Sequence, residues 1–283
     1  MQKVESFVGL AEALSHELPP KPPSNDSLGR FREIISDPIN ALIDRHPWAG
    51  QLLYNDVVLH NGVIVPSSGA LSYYDTFSHI LVINRGVHEP LEEYCFQEML
   101  KCLPPAPVML ELGAYWGHYS MWCQKMRPEA KLFLVEPEMA NLECAINNFK
   151  RNGFSGTMLN ELVSPGQFEV DKFMAARQLD HLHVLHSDIQ GSEVQMLMDA
   201  KRSLAAQKID YVFVSTHSDE LHHTCIYQLN SHGYDVTIES NYSAETTSED
   251  GFILAVSPQV DPLLKGFKFH KRPTILRSEA KTS

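Results

Sequence analysis

The feature that most restricts this chain is a rhythm that sets in at residue 107. From there, short apolar runs alternate with longer stretches of helical periodicity. "PVMLEL" reads as a buried strand, "GHYSMWCQKM" as a helix, "KLFLVEP" as a second strand and "EMANLECAINNFKRNGF" as a helix halted at Asn152-Gly153. "TMLNELVS", "LHVLHSDI" and "DYVFVST" continue the strands, with "SEVQMLMDAKRSLAAQ" and "ELHHTCIYQLNSHGY" as helices; "DVTIES" and "GFILAVS" close the series. Such alternation predicts a doubly wound α/β sheet with crossovers on both faces. Ligands in these sheets bind beyond the carboxyl ends of the strands, so function is sought at the strand ends.

The chain ahead of this rhythm is less regular. Val4, Phe7, Val8, Ala11 and Leu14 repeat at helical spacing. The four prolines of "LPPKPPSND", residues 18 to 26, then impose a stiff linker. "SLGRFREIISDPINALIDRHPW" reads as helical with a break before Pro38. "DVVLHNGVIVP" reads as a hairpin turning at His60-Asn61-Gly62. "HILVINR" is expected to be a strand, and "EPLEEYCFQEMLKCL" a helix with Pro90 in its first turn. The expected division is an N-terminal extension over 1–85, a nucleotide-fold domain over 86–258 and a tail over 259–283. Extension and tail are read as elements that cover the site or build a homo-oligomer.

Charge narrows the partners. The net charge of -12 repels phosphate backbones and anionic lipid, which argues against nucleic acid and membrane surfaces. No apolar run reaches the roughly 18 residues that a membrane span needs. The first twenty residues do not read as a secretory signal. Five scattered cysteines, none in a C-x-x-C pair, read as reduced thiols of a cytoplasmic protein.

Four strand ends carry unusual residues. The first strand runs into Glu111-Leu112-Gly113-Ala114-Tyr115-Trp116-Gly117. A glycine there lets the backbone turn and approach a ligand without a Cβ in the way. The helix that follows offers free N–H groups to an anionic group such as a carboxylate. The second strand ends in Glu136-Pro137, 23 residues after Gly113, where an acid can take both hydroxyls of a ribose. A dinucleotide loop G-x-G-x-x-G needs a middle glycine for the pyrophosphate. Here Tyr115 fills that place and His118 the last, leaving G-x-x-x-G; no Gly-Lys-Ser/Thr phosphate loop occurs either. The loop therefore suits a nucleoside cofactor without phosphates.

"ELGAYWGHYSMW", "LVEPEMANLECAINNFKRNG" and "LHSDIQGSEVQML", in this order, resemble the FkbM-type methyltransferases over about residues 85 to 257. The resemblance implies a Rossmann-like class I methyltransferase sheet, mostly parallel with its last strand antiparallel. It implies S-adenosylmethionine as cofactor and transfer of its methyl group to a hydroxyl oxygen of a sugar or other secondary metabolite. Glu111, Gly113, Ala114, Tyr115, Gly117 and Ser120 would line the methionine end, Glu136 with Pro137 the ribose, with Asn141 beside it. "SDIQGSE" would floor the methyl group. Family members often open the first motif with Asp, whereas this chain has the longer Glu111.

A hydroxyl is a weak nucleophile until its proton is taken. Asp188 ends the fourth strand and His217 lies just past the fifth, on neighbouring strands about 4.8 Å apart. In one reading Asp188 orients His217, whose ordinary pKa suits a base near neutrality. In another, Asp188, His217 and Asp219 hold a magnesium ion, as in some members of the resembled family; oxygen ligands suit that ion and an imidazole is less typical. In a third, Asp188 caps the following helix, Glu193 complements that helix's dipole, and His217 is structural. His181, His183 and His186 match no ligand spacing, and adjacent His222 and His223 point apart. Tyr73-Tyr74 is read as part of a lid. Two other functions remain open on these residues: an NAD(P)-dependent oxidoreductase, which the Gly113 loop opposes, and a binding module without chemistry.

Overall fold

The computed structural model describes residues 20–23 and 25–279. The amphipathic helix expected around Val4 to Leu14 lies outside them. Seven strands form the central sheet: β4 (Val108–Leu112), β5 (Lys131–Val135), β6 (Thr157–Leu159), β7 (Leu182–Ser187), β8 (Ile209–Thr216), β9 (Asp235–Ser240) and β10 (Gly251–Val256). Their order is β6-β5-β4-β7-β8-β10-β9. All neighbours up to β8 run parallel, whereas β10 is antiparallel to both β8 and β9. This is the doubly wound, Rossmann-like sheet, with the last strand antiparallel as expected. The chain leaves β4 to one side and returns at β7 to the other, which makes the β4/β7 boundary the topological switch point.

The strands are apolar on both faces because both are covered. Met109, Val184, Phe213 and Leu254 face one core, while Leu110, Leu185, Val212 and Ile253 face a second. The second is closed by Phe173, Met196, Leu204 and Cys225, from helices on that side. The first includes Phe31 and Ile34 of α1 (Ser27–Ser36). It also takes Val57 and Val65 from a small antiparallel sheet of β1 (Leu52–Leu53), β2 (Asp56–Val58) and β3 (Ile64–Pro66). Residues ahead of the α/β rhythm thus share one core with the sheet.

The expected hairpin at His60-Asn61-Gly62 is present as β2 and β3. The expected strand at "HILVINR" is not: His79–Ile83 is a short helix, α2. Ile80 and Leu81 are fully buried, Ile83 is exposed, and Asn84 N–H closes on the Ile80 carbonyl. A brief β-branched run fits either state, and here tertiary burial chose the helix. The expected helix from Ser192 onward is two, α7 (Glu193–Asp199) and α8 (Lys201–Ala205), with α6 (Val170–Ala176) before them. Those that bear on the site are α3 (Pro90–Cys102), α4 (His118–Met126), α5 (Met139–Asn152) and α9 (Asp219–Ser231); α10 (Arg272–Glu279) closes the described chain. All five cysteines are free, and no helix among the described residues is long and apolar enough to cross a membrane.

Candidate active site

A cavity of about 980 Å³ opens over the carboxyl ends of β4, β5, β7 and β8, near the upper end of the roughly 300–1,000 Å³ usual for small-molecule sites. Gly113 creates it. The residue sits at φ +73°, and a Cβ there would lie 1.6 Å from the Asp188 carbonyl oxygen. Only glycine lets the end of β4 pass this close to the end of β7.

Of the residues assigned to the cofactor, Glu111, Gly113, Ala114, Tyr115, Glu136, Pro137 and Asn141 line the cavity; Gly117 and Ser120 do not. Gly117 begins α4 in the left-handed region, backed by Phe149. Ser120 is buried, and its N–H donates to Glu111 Oε2 at 3.0 Å. Glu111 therefore holds the first turn of α4. Burial pushes its carboxyl upward.

Glu136 is fixed by its own loop. Its Oε2 accepts the Tyr115 N–H at 3.0 Å, and its Oε1 accepts the Glu138 N–H at 3.0 Å and the Asn141 amide at 3.3 Å. Asn141 thus stands beside Glu136 at the cavity wall. Tyr115 holds φ +41°, an uncommon conformation for a non-glycine residue. Its hydroxyl accepts the Tyr74 N–H at 2.8 Å and donates to the Ser72 carbonyl at 3.2 Å. Tyr73 and Tyr74 both line the cavity, so this one side chain ties their segment to the cofactor loop.

The far wall is acidic. His217 Nδ1 lies 2.7 Å from Glu193 Oε1, and its Nε2 lies 3.2 Å from Asp188 and 3.3 Å from Asp250. The Gln190 amide lies 2.9 Å from Nε2. Burial opposes charge on the ring, but its hydrogen bonds to the carboxylates of Asp188 and Glu193 and the charge of Asp250 outweigh it, raising His217 to about 11. Carboxylates facing both ring nitrogens favour the protonated ring, which bears against His217 as the base. Asp250 is shifted upward as well. Burial and the nearby Asp188 charge raise it to about 7, against the pull of His217.

Asp219 does not join this group. Its carboxylate accepts the Ser243 N–H at 3.0 Å and the Ser243 hydroxyl, at the start of α9. Asp250 takes the third place: donor atoms of Asp188, His217 and Asp250 all lie within 4.8 Å of one another. Glu193 holds Nδ1 from behind, as carboxylates that orient metal-bound imidazoles do, so this donor set could hold a divalent cation. Sequence reasoning missed Asp250 because it lies at the start of β10, beyond the motifs. It also missed Glu89, whose Oε2 accepts the Tyr119 hydroxyl at 2.8 Å at the cavity edge. Burial and nearby Glu92 push the Glu89 carboxyl well above its ordinary range. His186 pairs with Glu92 at 2.6 Å, whereas His181 pairs with Asp210 at 2.9 Å and His183 accepts the Val108 N–H at 3.0 Å. His222 reaches Thr216 and His223 the Asp219 carbonyl, pointing apart as expected.

No protein-family model and no curated protein matches the sequence. Solved structures do match. A precorrin-6y C5,15-methyltransferase from Geobacter metallireducens is 14% identical, over 58% of this chain and 87% of that one, with a TM-score of 0.43. TrmK from M. capricolum, solved with S-adenosylhomocysteine, is 15% identical over 58% and 67%, with a TM-score of 0.40. A methyltransferase from Pyrococcus furiosus is 17% identical over 59% and 82%, with a TM-score of 0.41. At these identities the likeness is one of fold.

Proposed function

We propose that this chain is an S-adenosylmethionine-dependent methyltransferase acting on a hydroxyl oxygen of a small molecule. The observation that carries the reading is the placement of two unlike walls in one cavity. On one side stands Glu136, anchored by three protein donors beside the Gly113 turn. On the other stand Asp188, His217 and Asp250. When bound, the cofactor supplies an electrophilic methyl group. Glu136 is suited to take the ribose hydroxyls, and the turn from Gly113 to Tyr115 the methionine end, with the bulk of Tyr115 where a pyrophosphate would have to lie.

On the acceptor side, Asp250 is suited to take the hydroxyl proton as the oxygen attacks, because a base works best with a pKa near the operating pH. Protonated His217 keeps Asp188 and Asp250 in place. The alternative for the same wall is a divalent ion held by Asp188, His217 and Asp250, favoured by Nε2 facing both carboxylates while Nδ1 is held by Glu193. An imidazole in the set suits Mn²⁺ better than Mg²⁺. A net charge of -12 and the carboxylates of the cavity favour a small acceptor over a nucleic acid.

Calorimetry with S-adenosylhomocysteine tests the cofactor assignment. Saturable binding at micromolar ligand, lost in Glu136→Ala, is expected. Absence of binding at millimolar ligand, with a thermal shift in NAD or NADP instead, would point to an oxidoreductase.

A further inference from the structure

Behind the cavity lies a second group of titratable side chains that methyl transfer does not use. His60 comes from the β2–β3 turn, His88 from the segment before α3, Glu93 from the first turn of α3, and His118 opens α4. All four are at most 3% exposed. Glu93 is fixed in place: its Oε1 accepts the N–H groups of His88 at 2.8 Å and Glu89 at 3.0 Å. Its other oxygen, Oε2, lies 2.7 Å from His60 Nε2, yet neither atom is in hydrogen-bond alignment. His118 stacks on Trp116, with ring centroids 5.0 Å apart and planes at 10°, and meets His88 edge-on at 4.9 Å. Neither of its ring nitrogens has a hydrogen-bond partner within the protein.

Leaving a buried donor or acceptor unpaired costs roughly 1–3 kcal/mol. If only packing were needed at His118, a phenyl ring would serve without that cost. A hydrogen-bonded network does not account for the group either, since the single carboxylate of Glu93 faces His60 and His88 and leaves His118 with nothing. A cation resolves both difficulties, because it accepts lone pairs from several donors at once. Donor atoms of His60, Glu93 and His118 already lie within 4.8 Å of one another. His88 and His118 also line the cavity, which gives an ion a way in.

We propose that His60, Glu93 and His118 form a binding site for a divalent transition-metal ion of the zinc type, which fastens the β2–β3 hairpin to the first turns of α3 and α4. Two imidazoles and one carboxylate are a common zinc donor set, which leaves a fourth position for solvent. The site is separate from the Asp188, His217 and Asp250 group and does not depend on the cofactor reading. An ion that binds only the folded chain raises its stability by mass action.

The test uses the full chain carrying His217→Asn and His183→Asn, which remove one imidazole from each of the two other groups with converging donor atoms, Asp188–His217–Asp250 and His181–His183–Asp210. After treatment with a chelator, one equivalent of Zn²⁺ is returned and its affinity measured by competition with a chromogenic chelator. X-ray absorption then counts the imidazoles around the bound ion. One tightly held ion with two imidazoles is expected. Adding His118→Asn or Glu93→Gln should weaken binding more than about 100-fold, since even outer-shell losses cost about 10- to 100-fold. The proposal fails if the parent variant holds no zinc at micromolar free metal. It also fails if the ion has fewer than two imidazoles, or if His118→Asn leaves affinity unchanged. Should the added substitutions prevent folding, the imidazole count on the parent decides alone.

Discussion

Replacing Gly113 by alanine tests the geometry on which the whole site rests. A Cβ at this position meets the Asp188 carbonyl oxygen at 1.6 Å, and real Cβ contacts essentially never fall below 3.0 Å, so the end of β7 must retreat by about 1.4 Å. Three costs add. Alanine in the left-handed region costs roughly 1–2 kcal/mol. Retreat of Asp188 breaks its 2.9 Å N–H bond to the Leu112 carbonyl, roughly a further 1 kcal/mol. Residual overlap adds roughly 1–3 kcal/mol, as overpacking does elsewhere. Gly153 is the internal control: it holds nearly the same φ, +71°, with nothing within 4 Å of its would-be Cβ. Gly153→Ala therefore carries only the first cost. At roughly 2–4 °C per kcal/mol for a chain of this size, Gly113→Ala should melt at least about 4 °C below Gly153→Ala in differential scanning calorimetry. It should also lose S-adenosylhomocysteine affinity, while Gly153→Ala keeps it. Equal melting temperatures for the two variants would refute the close approach of β4 and β7, and with it the shape of the cavity.

Other perturbations give further expectations. Under the ribose assignment Glu136→Ala removes a charged acceptor of two hydroxyls, so S-adenosylhomocysteine binding measured by calorimetry should weaken by roughly 2–4 kcal/mol, or about 30- to 1,000-fold; a change under threefold would count against that assignment. Asp250→Asn should lower turnover about 10²- to 10⁴-fold and remove a limb near pH 7 from the kcat/KM profile, with cofactor affinity unchanged. His217 is raised from 6.5 to about 11, so its stabilisation is complete below about pH 6.5 and disappears as pH rises through about 11. Wild type should therefore lose its stability advantage over His217→Gln across that window; an advantage that grows with pH would overturn the assignment. Tyr115→Phe deletes the bonds to Tyr74 and Ser72, so stopped-flow release of S-adenosylhomocysteine should quicken.

The sequence alone determined what local chemistry can encode. Strand and helix periods fixed the β4-to-β10 series, Asn61-Gly62 marked the hairpin, and Gly113 and Glu136-Pro137 marked two of the strand ends that line the cavity. These signals depend on neighbours a few residues apart. The "HILVINR" run went the other way because a short apolar segment takes the state its burial dictates, and that burial is set by distant Phe31 and Val57. The acidic wall was legible only in part. Asp188 and His217 sit at strand ends, but Asp250 joins them only because β10 turns back antiparallel beside β8. Tertiary structure also decided that carboxylates face both ring nitrogens of His217, which raises its proton affinity. A histidine's proton affinity follows the charges around it, and the three carboxylates that surround this one come from residues 188, 193 and 250.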